Sequence, residues 1–410
     1  MRRVYALGLS LLVFANGFTD VFIYKNIPLL IYGAYGLACF CVLLMVCSRS
    51  RLVVRDRTYY ALLLLIVSAI FLSYLFSART PKGFTYFVWF NWIVIIYGIV
   101  GKLFIDNADM LGRCIRSIRA ALAIHAVLAL IDWAVSNRYL SYSPLAVAFR
   151  GQEEFKSAIL GLIRLRGGVE EGAHYALYLN IFFPLSLLAP WKNKLRCALY
   201  VGLVGVSYVA TMSLAAWACL VLALAIGSIV LLPTKSRTAF YLAVLLAVAA
   251  VVSVSLYPHL DNELTDRISN PDDVSRVQRL EIYALAKDAI LQASVTQSLF
   301  GYGPAAFIEK TKTNPVSWYM LFAHDLGVPA MLLACITGLF TWFKVLRSDL
   351  KNADKLWAQI SLIAPFIHYT VTGNFWHPWI WTAMGVLLAV ARKGRTLNQP
   401  ETRLNQTSQP

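Results

Sequence analysis

Charged residues are scarce in this sequence. Asp, Glu, Lys and Arg make up only 14% of the 410 residues, while 59% are hydrophobic, and roughly a quarter of an ordinary soluble domain is charged. A soluble protein of this size could not cover that much apolar surface, so the soluble globular class is excluded. The 21 acidic residues are outnumbered by 37 basic ones, which gives a net charge of +16. In a membrane protein such an excess collects in cytoplasmic loops, so it does not indicate a nucleic-acid partner.

Three other features are missing. The seven cysteines fall in predicted spans or cytoplasmic loops, so no disulfide framework is expected. Residues 2–24 are long and apolar enough to span, and no small-residue cleavage site follows them, so we expect no cleaved signal peptide. The long outer loops defined below lack an Asp-x-Asp pair, and we expect no metal and no other cofactor.

Long apolar runs dominate the chain instead. A run near 20 residues crosses a bilayer as a helix, because lipid cannot satisfy an open backbone. Twelve runs qualify, the longest being split at Thr211-Met212-Ser213: 4–24, 27–47, 58–77, 84–105, 119–135, 175–191, 197–213, 214–232, 238–257, 317–343, 356–373 and 377–391. The sequence therefore predicts an all-α polytopic integral membrane protein with about 12 transmembrane helices, forming a single domain over residues 1–391. Residues 392–410 are polar and are predicted to be a disordered cytoplasmic tail.

The distribution of positive charge predicts the orientation. With the N-terminus in the cytoplasm, 23 of the 37 Lys and Arg residues lie inside. The short outer loops then hold only Lys25, Arg79 and Lys82. Because positively charged loops stay in the cytoplasm, both termini are predicted to be cytoplasmic.

Two outer connections, 136–174 and 258–316, are too long to be turns. Long connections in a compact fold are usually functional or disordered. Each carries an amphipathic pattern, which predicts a helix in each loop. In the second loop this helix follows Asn270-Pro271 and ends before Gly301. In the first loop apolar residues recur at helical spacing: Phe149, Phe155, Ile159, Leu162 and Ile163.

Arginines are concentrated in these loops. The first loop carries Arg164 and Arg166 shortly before Glu171 and His174; the second carries Arg267, Arg276 and Arg279. Lipid-headgroup contacts or loop salt bridges would explain each arginine singly. Together they match an anionic ligand at the outer membrane boundary, because the guanidinium fork fits phosphate oxygens and keeps its charge. A lipid pyrophosphate has these properties.

Three stretches resemble one family. Residues 164–176 (Arg-Leu-Arg-Gly-Gly-Val-Glu-Glu-Gly-Ala-His-Tyr-Ala) have an arginine, a glycine and a glutamate leading into a span. Residues 279–307 have an arginine, a helix and then Gly-x-Gly-x-x-x-Phe, and residues 323–330 carry a Leu-Gly opening of the next span. These stretches, with the plan of about a dozen spans and two long outer loops, resemble the bacterial O-antigen polymerase and O-antigen ligase superfamily.

The sequence departs from that family in three motifs. The His-Asn pair usual in ligases is replaced by Val316 and Ser317, the Thr-x-Ser-Arg stretch lacks its arginine at Leu214, and Gly172 replaces a common proline. Because the missing histidine is thought to be catalytic in ligases, the resemblance favours a polymerase.

The resemblance implies a glycosyltransferase of the bacterial cell inner membrane with a GT-C-like architecture and two long helical periplasmic loops. Its donor would be an undecaprenyl-pyrophosphate-linked oligosaccharide. Membrane lipids, a chain-length regulator and a flippase are candidate partners. Arg164, Arg166, Arg276 and Arg279 would then bind pyrophosphate.

Several side chains are candidates for the base. Glu171 is the first and His174 the second. His324, next to Asp325 near the outer end of a predicted span, is a third, because an ionisable residue in a membrane span is a functional candidate by default. His368 and His377 are candidates to face the same cavity, but a histidine among aromatic residues is more often a packing residue.

Two alternatives remain. A ligase would use the same donor with another acceptor. A transporter of lipid-linked oligosaccharide belongs to another class and should place its polar residues near the membrane midplane rather than in outer loops.

The predicted orientation is testable by labelling single cysteines in a variant that lacks the native ones. A cysteine at Ser294 should react with an impermeant reagent in intact spheroplasts, whereas a cysteine at Ser50 should be protected. The reverse pattern would contradict the orientation.

Overall fold

The computed structural model describes most of the chain's interior, with gaps. The described ranges, apart from a few isolated positions, are 53–108, 111–137, 162–166, 171–188, 193–231, 274–373 and 377–393. The predicted spans 4–24, 27–47 and 238–257 lie almost wholly outside the described residues, as do most of the loop 136–174 and the tail beyond 393.

Helices account for most of the described residues. They are α1 (Arg57–Phe76), α2 (Pro81–Ile93), α3 (Gly101–Ala108), α4 (Leu111–Ser136), α5 (Gly172–Leu187), α6 (Lys194–Ala210), α7 (Leu214–Leu231), α8 (Val274–Leu291), α9 (Val295–Phe300), α10 (Ala306–Thr311), α11 (Trp318–Leu321), α12 (Val328–Leu346), α13 (Asn352–His368) and α14 (Trp379–Lys393). Two π-helical segments join neighbours: π1 (Val94–Val100) lies between α2 and α3, and π2 (Phe322–Leu326) precedes α12.

Five helical stretches among the described residues are long and apolar enough to cross a membrane: α1, the continuous run Pro81–Asp106, α4, α7 and α12. Their positions agree with predicted spans. Helices α5, α6, α13 and α14 coincide with four further predicted spans but have only 16, 17, 17 and 15 residues. The membrane class is therefore supported by several apolar helices, while the total of about 12 spans stays a prediction.

The predicted span 317–343 is not one helix. It consists of α11, π2 and then α12, with a break at Gly327, whose φ of 91° an L side chain rarely adopts. A Cβ on Gly327 would lie 2.4 Å from the Leu299 carbonyl oxygen. The chain turns here so that the loop after α9 can pack against it.

The first long loop contains a hairpin where the sequence predicted a helix. Ala158–Ile159 (β3) pairs with Leu162–Ile163 (β4) in antiparallel register, Ala158 opposite Ile163. The Asn137 side chain explains this: its Oδ1 accepts from the Ile163 N–H at 2.7 Å, and its Nδ2 donates to the Ile163 carbonyl at 3.1 Å. A side chain at the end of α4 thus holds β4 in an extended conformation. A second pair of two-residue strands, Ile23–Tyr24 (β1) with Ile27–Pro28 (β2), lies between the first two predicted spans.

Helix α5 lies at the centre of the packing. Residues from Tyr175 to Phe182 are at most 2% exposed. Helix α13 packs against both α5 and α7, and α4 packs against α5 from another direction. Apolar side chains of α1, such as Leu64 and Phe71, are instead exposed at 56% and 48%, as expected for a face in contact with lipid.

A buried charge cluster joins three helix ends. Lys102 Nζ lies 2.6 Å from Asp106 Oδ1 and 3.1 Å from Asp56 Oδ2. Arg392, near the end of α14, lies 2.9 Å from the same Asp106 oxygen, and the Tyr60 hydroxyl donates to Asp106 Oδ2 at 3.1 Å. Lys102 is fully buried. Two positive and two negative side chains balance, which makes the burial of four charges tolerable.

Removing one member should therefore destabilise the fold. We expect Lys102→Met to leave two carboxylates sharing one arginine and to cost about 3–5 kcal/mol, the usual penalty for breaking a buried pair. Thermal unfolding in detergent would show a lower midpoint. Lys194→Met, at an exposed position in the first turn of α6, is the matched control. Equal midpoints for the two variants would contradict a stabilising cluster.

Candidate anion-binding site

The segment 164–166 lies against the corner between α6 and α7. The Leu165 N–H donates to the Ala210 carbonyl at 3.0 Å, and Arg164 Nε donates to the Thr211 carbonyl at 3.0 Å. Arg164 is half-buried and Arg166 is buried. The corner therefore holds both predicted arginines next to the start of α5.

Glycine at position 172 lets α5 begin in the same corner. A Cβ there would lie 2.8 Å from the Leu165 carbonyl oxygen and 3.0 Å from that of Thr211. A side chain at this position would push α5 away from the arginine segment. The Gly172 departure from the family pattern thus has a steric reason in this fold.

Glu171 and His174 lie at the first turn of α5. Glu171 is half-buried, and its backbone carbonyl accepts from the N–H groups of His174 and Tyr175, both at 3.1 Å. Its carboxylate makes no capping hydrogen bond to the helix. His174 is 7% exposed.

The charges around His174 show which predicted residues come together. Burial lowers the pKa of the His174 imidazole to about 4; Glu171 opposes this shift, and Arg279 and Arg164 add to it. His174 is therefore neutral at pH 7. Three predicted site residues, Glu171, Arg164 and Arg279, thus lie within electrostatic range of a fourth, His174.

Arg279 comes from α8 in the second long loop. Its side chain is exposed, and its charge acts on His368 as well as on His174. Arg276 lies three residues earlier in the same helix, at the spacing of neighbours on a helix surface. The side chain of Arg276 lies outside the described residues.

Two histidines, for which the sequence favoured packing over a place in the same cavity, lie beside His174. The His377 ring lies 5.7 Å from the His174 ring and stacks on Trp379 at 3.9 Å. His368, at the end of α13, is fully buried, and His174 lies within electrostatic range of it. We call His174, His368 and His377 the histidine cluster. The sequence signal for this histidine cluster was that His368 and His377 stand near the ends of predicted spans.

His324 has a different environment. Its ring stacks on Tyr302 at 4.5 Å and meets the edge of Phe307 at 5.2 Å, and its Nδ1 lies 2.7 Å from Asp325 Oδ1. That carboxylate oxygen also accepts from the Phe307 N–H at 3.0 Å. In the described part of the chain, no contact joins His324 to Glu171 or His174. The contacts described for the His324–Asp325 pair give it a packing role, and the catalytic role predicted for His324 stays a prediction.

That packing role reaches the site indirectly. The backbone N–H groups of Tyr302 and Gly303 donate to the carbonyls of His324 and Asp325 at 2.8 and 3.0 Å. The Tyr302 hydroxyl then donates to the Ala289 carbonyl in α8 at 3.0 Å. The backbone carbonyls of the pair thus hold Tyr302, and Tyr302 in turn holds α8, the helix that carries Arg279.

The site lies far from the buried charge cluster. His377 precedes the first turn of α14, and Arg392 is near its last residue, so the 15 residues of this helix separate them by about 22 Å. If Arg392 is cytoplasmic, as the sequence predicts, the histidine cluster is expected at the outer end.

No protein-family model matches the chain, and no curated protein is found to be similar to it. Within the described ranges, no group of three or more His, Cys, Asp or Glu side chains is arranged to hold a metal ion. The arrangement presents guanidinium groups, neutral imidazole and one carboxylate, which suits an anionic ligand and a proton transfer.

Removing either arginine should weaken the binding of a diphosphate. We expect Arg164→Ala and Arg279→Ala each to raise the Kd for inorganic pyrophosphate at least tenfold, because a hydrogen bond to a charged group contributes about 1.5–3 kcal/mol. Lysine at either position should restore little of the affinity for pyrophosphate, since it lacks the two-pronged guanidinium group of arginine. Calorimetric titration in nanodiscs would measure this.

Lys287→Ala is the matched control for Arg279, since Lys287 is an exposed cation on the same helix. Unchanged affinity in both arginine variants, or an equal loss in the control, would rule out a specific site.

Proposed function

We propose that this chain is a bacterial inner-membrane polysaccharide polymerase, which joins undecaprenyl-pyrophosphate-linked repeat units at the periplasmic face. The observation that carries the proposal is the convergence of Arg164 and Arg279, from separate loops, with Glu171 on His174. A diphosphate at a membrane surface needs several cationic groups from different directions. The reaction also needs a base, such as a carboxylate, to accept the proton of the attacking hydroxyl. The resemblance in the residues around these side chains points the same way.

The proposed reaction transfers a glycan. A hydroxyl of one lipid-linked unit attacks the anomeric carbon of another; the carbon–oxygen bond to pyrophosphate breaks, and lipid pyrophosphate leaves with the electron pair. Pyrophosphate is a good leaving group, so the enzyme mainly positions the reactants and stabilises developing negative charge. The positive charge that stabilises it would come from four arginines, Arg164, Arg166, Arg276 and Arg279. No metal is required.

Glu171 is the proposed base. It is half-buried at the start of α5, and its carboxylate is not used to cap the helix. It therefore suits a role in accepting the proton of the attacking hydroxyl. His174, one turn further along α5, is the second candidate.

The structure offers no support for a ligase at the position where that family has its His-Asn pair. Ser317 is buried, and its hydroxyl donates to the Tyr369 carbonyl at 3.3 Å, which ties the start of α11 to the end of α13. The position is used for packing.

A transporter is less well supported than an enzyme. The buried charges Lys102, Asp56, Asp106 and Arg392 are paired with one another at one end of the helices. They do not form a polar path at the midplane. A flippase and a chain-length regulator are proposed as partners in the same pathway.

The experiment is polymerisation by the purified protein in nanodiscs supplied with lipid-linked repeat units. The wild type should give a ladder of longer lipid-linked chains. A ligase would transfer glycan to another acceptor without a ladder, and a transporter would change no chain length.

Glu171→Gln should lose roughly 10²–10⁴-fold in turnover, the usual contribution of a positioned base, and should still bind the donor. His174→Ala should be milder. Glu281→Gln, at an exposed carboxylate of α8, is the control expected to keep full activity. A Glu171→Gln enzyme with normal turnover would refute the assignment and direct attention to His174.

A further inference from the structure

His368 is buried and has no hydrogen bond to any residue that the structure describes. Its relative exposure is 0%, and neither ring nitrogen has a hydrogen-bond partner among the described residues. Leaving a buried polar group unpaired is unfavourable, so such groups in native proteins nearly always have a partner in the working state. The position of His368 indicates what that partner is.

The surroundings of His368 are those of the anion-binding site. It ends α13, which packs against α5, the helix that carries His174. Both His174 and Arg279 lie within electrostatic range of it. The cationic side chain of Arg279 is exposed, whereas His368 is fully buried, so the two lie at different depths of one site.

We propose that His368 donates an N–H hydrogen bond to a diphosphate that binds between the ends of α5 and α13, beneath α8. This inference rests on the proposed function for the identity of the ligand as a lipid diphosphate. Arg279 contacts the diphosphate from the outer side and His368 from the membrane side. The diphosphate therefore sits inside the end of the helix bundle rather than on the surface of α8.

This location separates the two halves of the reaction. Glu171, at the start of α5, faces the acceptor hydroxyl. His368, at the end of α13, holds the leaving group. A histidine suits the deeper position because a neutral imidazole donates a hydrogen bond there without adding a second full charge beside Arg279.

Two substitutions at position 368 test the proposal. His368→Leu removes the donor at similar size, and His368→Gln retains an N–H. We expect the leucine variant to bind inorganic pyrophosphate at least tenfold more weakly than the wild type, and the glutamine variant to recover most of the affinity. His125→Leu is the matched control: His125 is also fully buried, in α4, with its ring 5.4 Å from Tyr178. The affinity of the His125→Leu variant for pyrophosphate should equal that of the wild type.

A measurement on the wild type makes the test independent of folding. With ¹⁵N-labelled histidine in nanodiscs, the chain gives signals from six imidazoles, and the His368 signal is the one that His368→Gln lacks. Pyrophosphate should shift it. Wild-type affinity in the leucine variant, or an unmoved His368 signal at saturating pyrophosphate, would overturn the proposal.

Three ligands distinguish the source of the anion. A prenyl pyrophosphate should bind more tightly than inorganic pyrophosphate if the ligand is a lipid, and inorganic phosphate should bind most weakly. Equal binding of phosphate and pyrophosphate would overturn the diphosphate assignment. If pyrophosphate binding depends on His368 but the wild type forms no ladder of chains, the proposed polymerase function is rejected and the binding site is kept. If the wild type forms a ladder but His368→Leu binds pyrophosphate with normal affinity, only the proposed site is rejected.

Discussion

The approach of α5 to the corner between α6 and α7 is the contact on which the site depends. Gly172 leaves room for the carbonyls of Leu165 and Thr211, and the latter also accepts the Arg164 hydrogen bond. Further along, Tyr208 donates to Asn180 at 2.8 Å, and Asn180 donates to the Ala216 carbonyl at 3.1 Å. Helix α5 is thus tied to both α6 and α7 by its polar groups. In a membrane such ties matter because lipid offers no alternative partner for a buried amide.

Irregular backbone around π2 is compensated by protein contacts in the same way. The π2 segment exposes carbonyls that a regular helix would use internally, and the loop residues Tyr302 and Gly303 donate to two of them. Ser73 of α1 donates to the Asp325 carbonyl at 2.8 Å. A Cβ on Gly301 would lie 2.3 Å from that same oxygen, so only glycine permits this approach. The loop, π2 and α1 therefore hold one another, and α8 is fixed by the loop.

The sequence was informative where neighbouring residues form the site. Arg164, Glu171 and His174 lie within eleven residues, so their proximity follows from a short turn into α5. The helix of the second loop was predicted from its amphipathic pattern and is confirmed as α8. Its predicted end before Gly301 was wrong, because α8 ends at Leu291 and Ser294 caps a separate short helix, α9. The hairpin β3–β4 was missed because Ile159, Leu162 and Ile163 also fit helical spacing, and the deciding hydrogen bonds come from Asn137, 26 residues away along the chain. His368 and His377 could not be assigned from sequence, since their relation to His174 arises only from the packing of α13 and α14 against α5.

The charge cluster has a consequence for how the chain is made. Its two carboxylates, Asp56 and Asp106, and the amine of Lys102 belong to the first third of the sequence, whereas Arg392 lies close to the end of the last described helix. Until that helix is synthesised, the buried group carries one uncompensated negative charge. The insertion of α14 therefore neutralises a group of charges that was synthesised almost three hundred residues earlier. A chain truncated before Arg392 would keep one unpaired negative charge in the helix bundle.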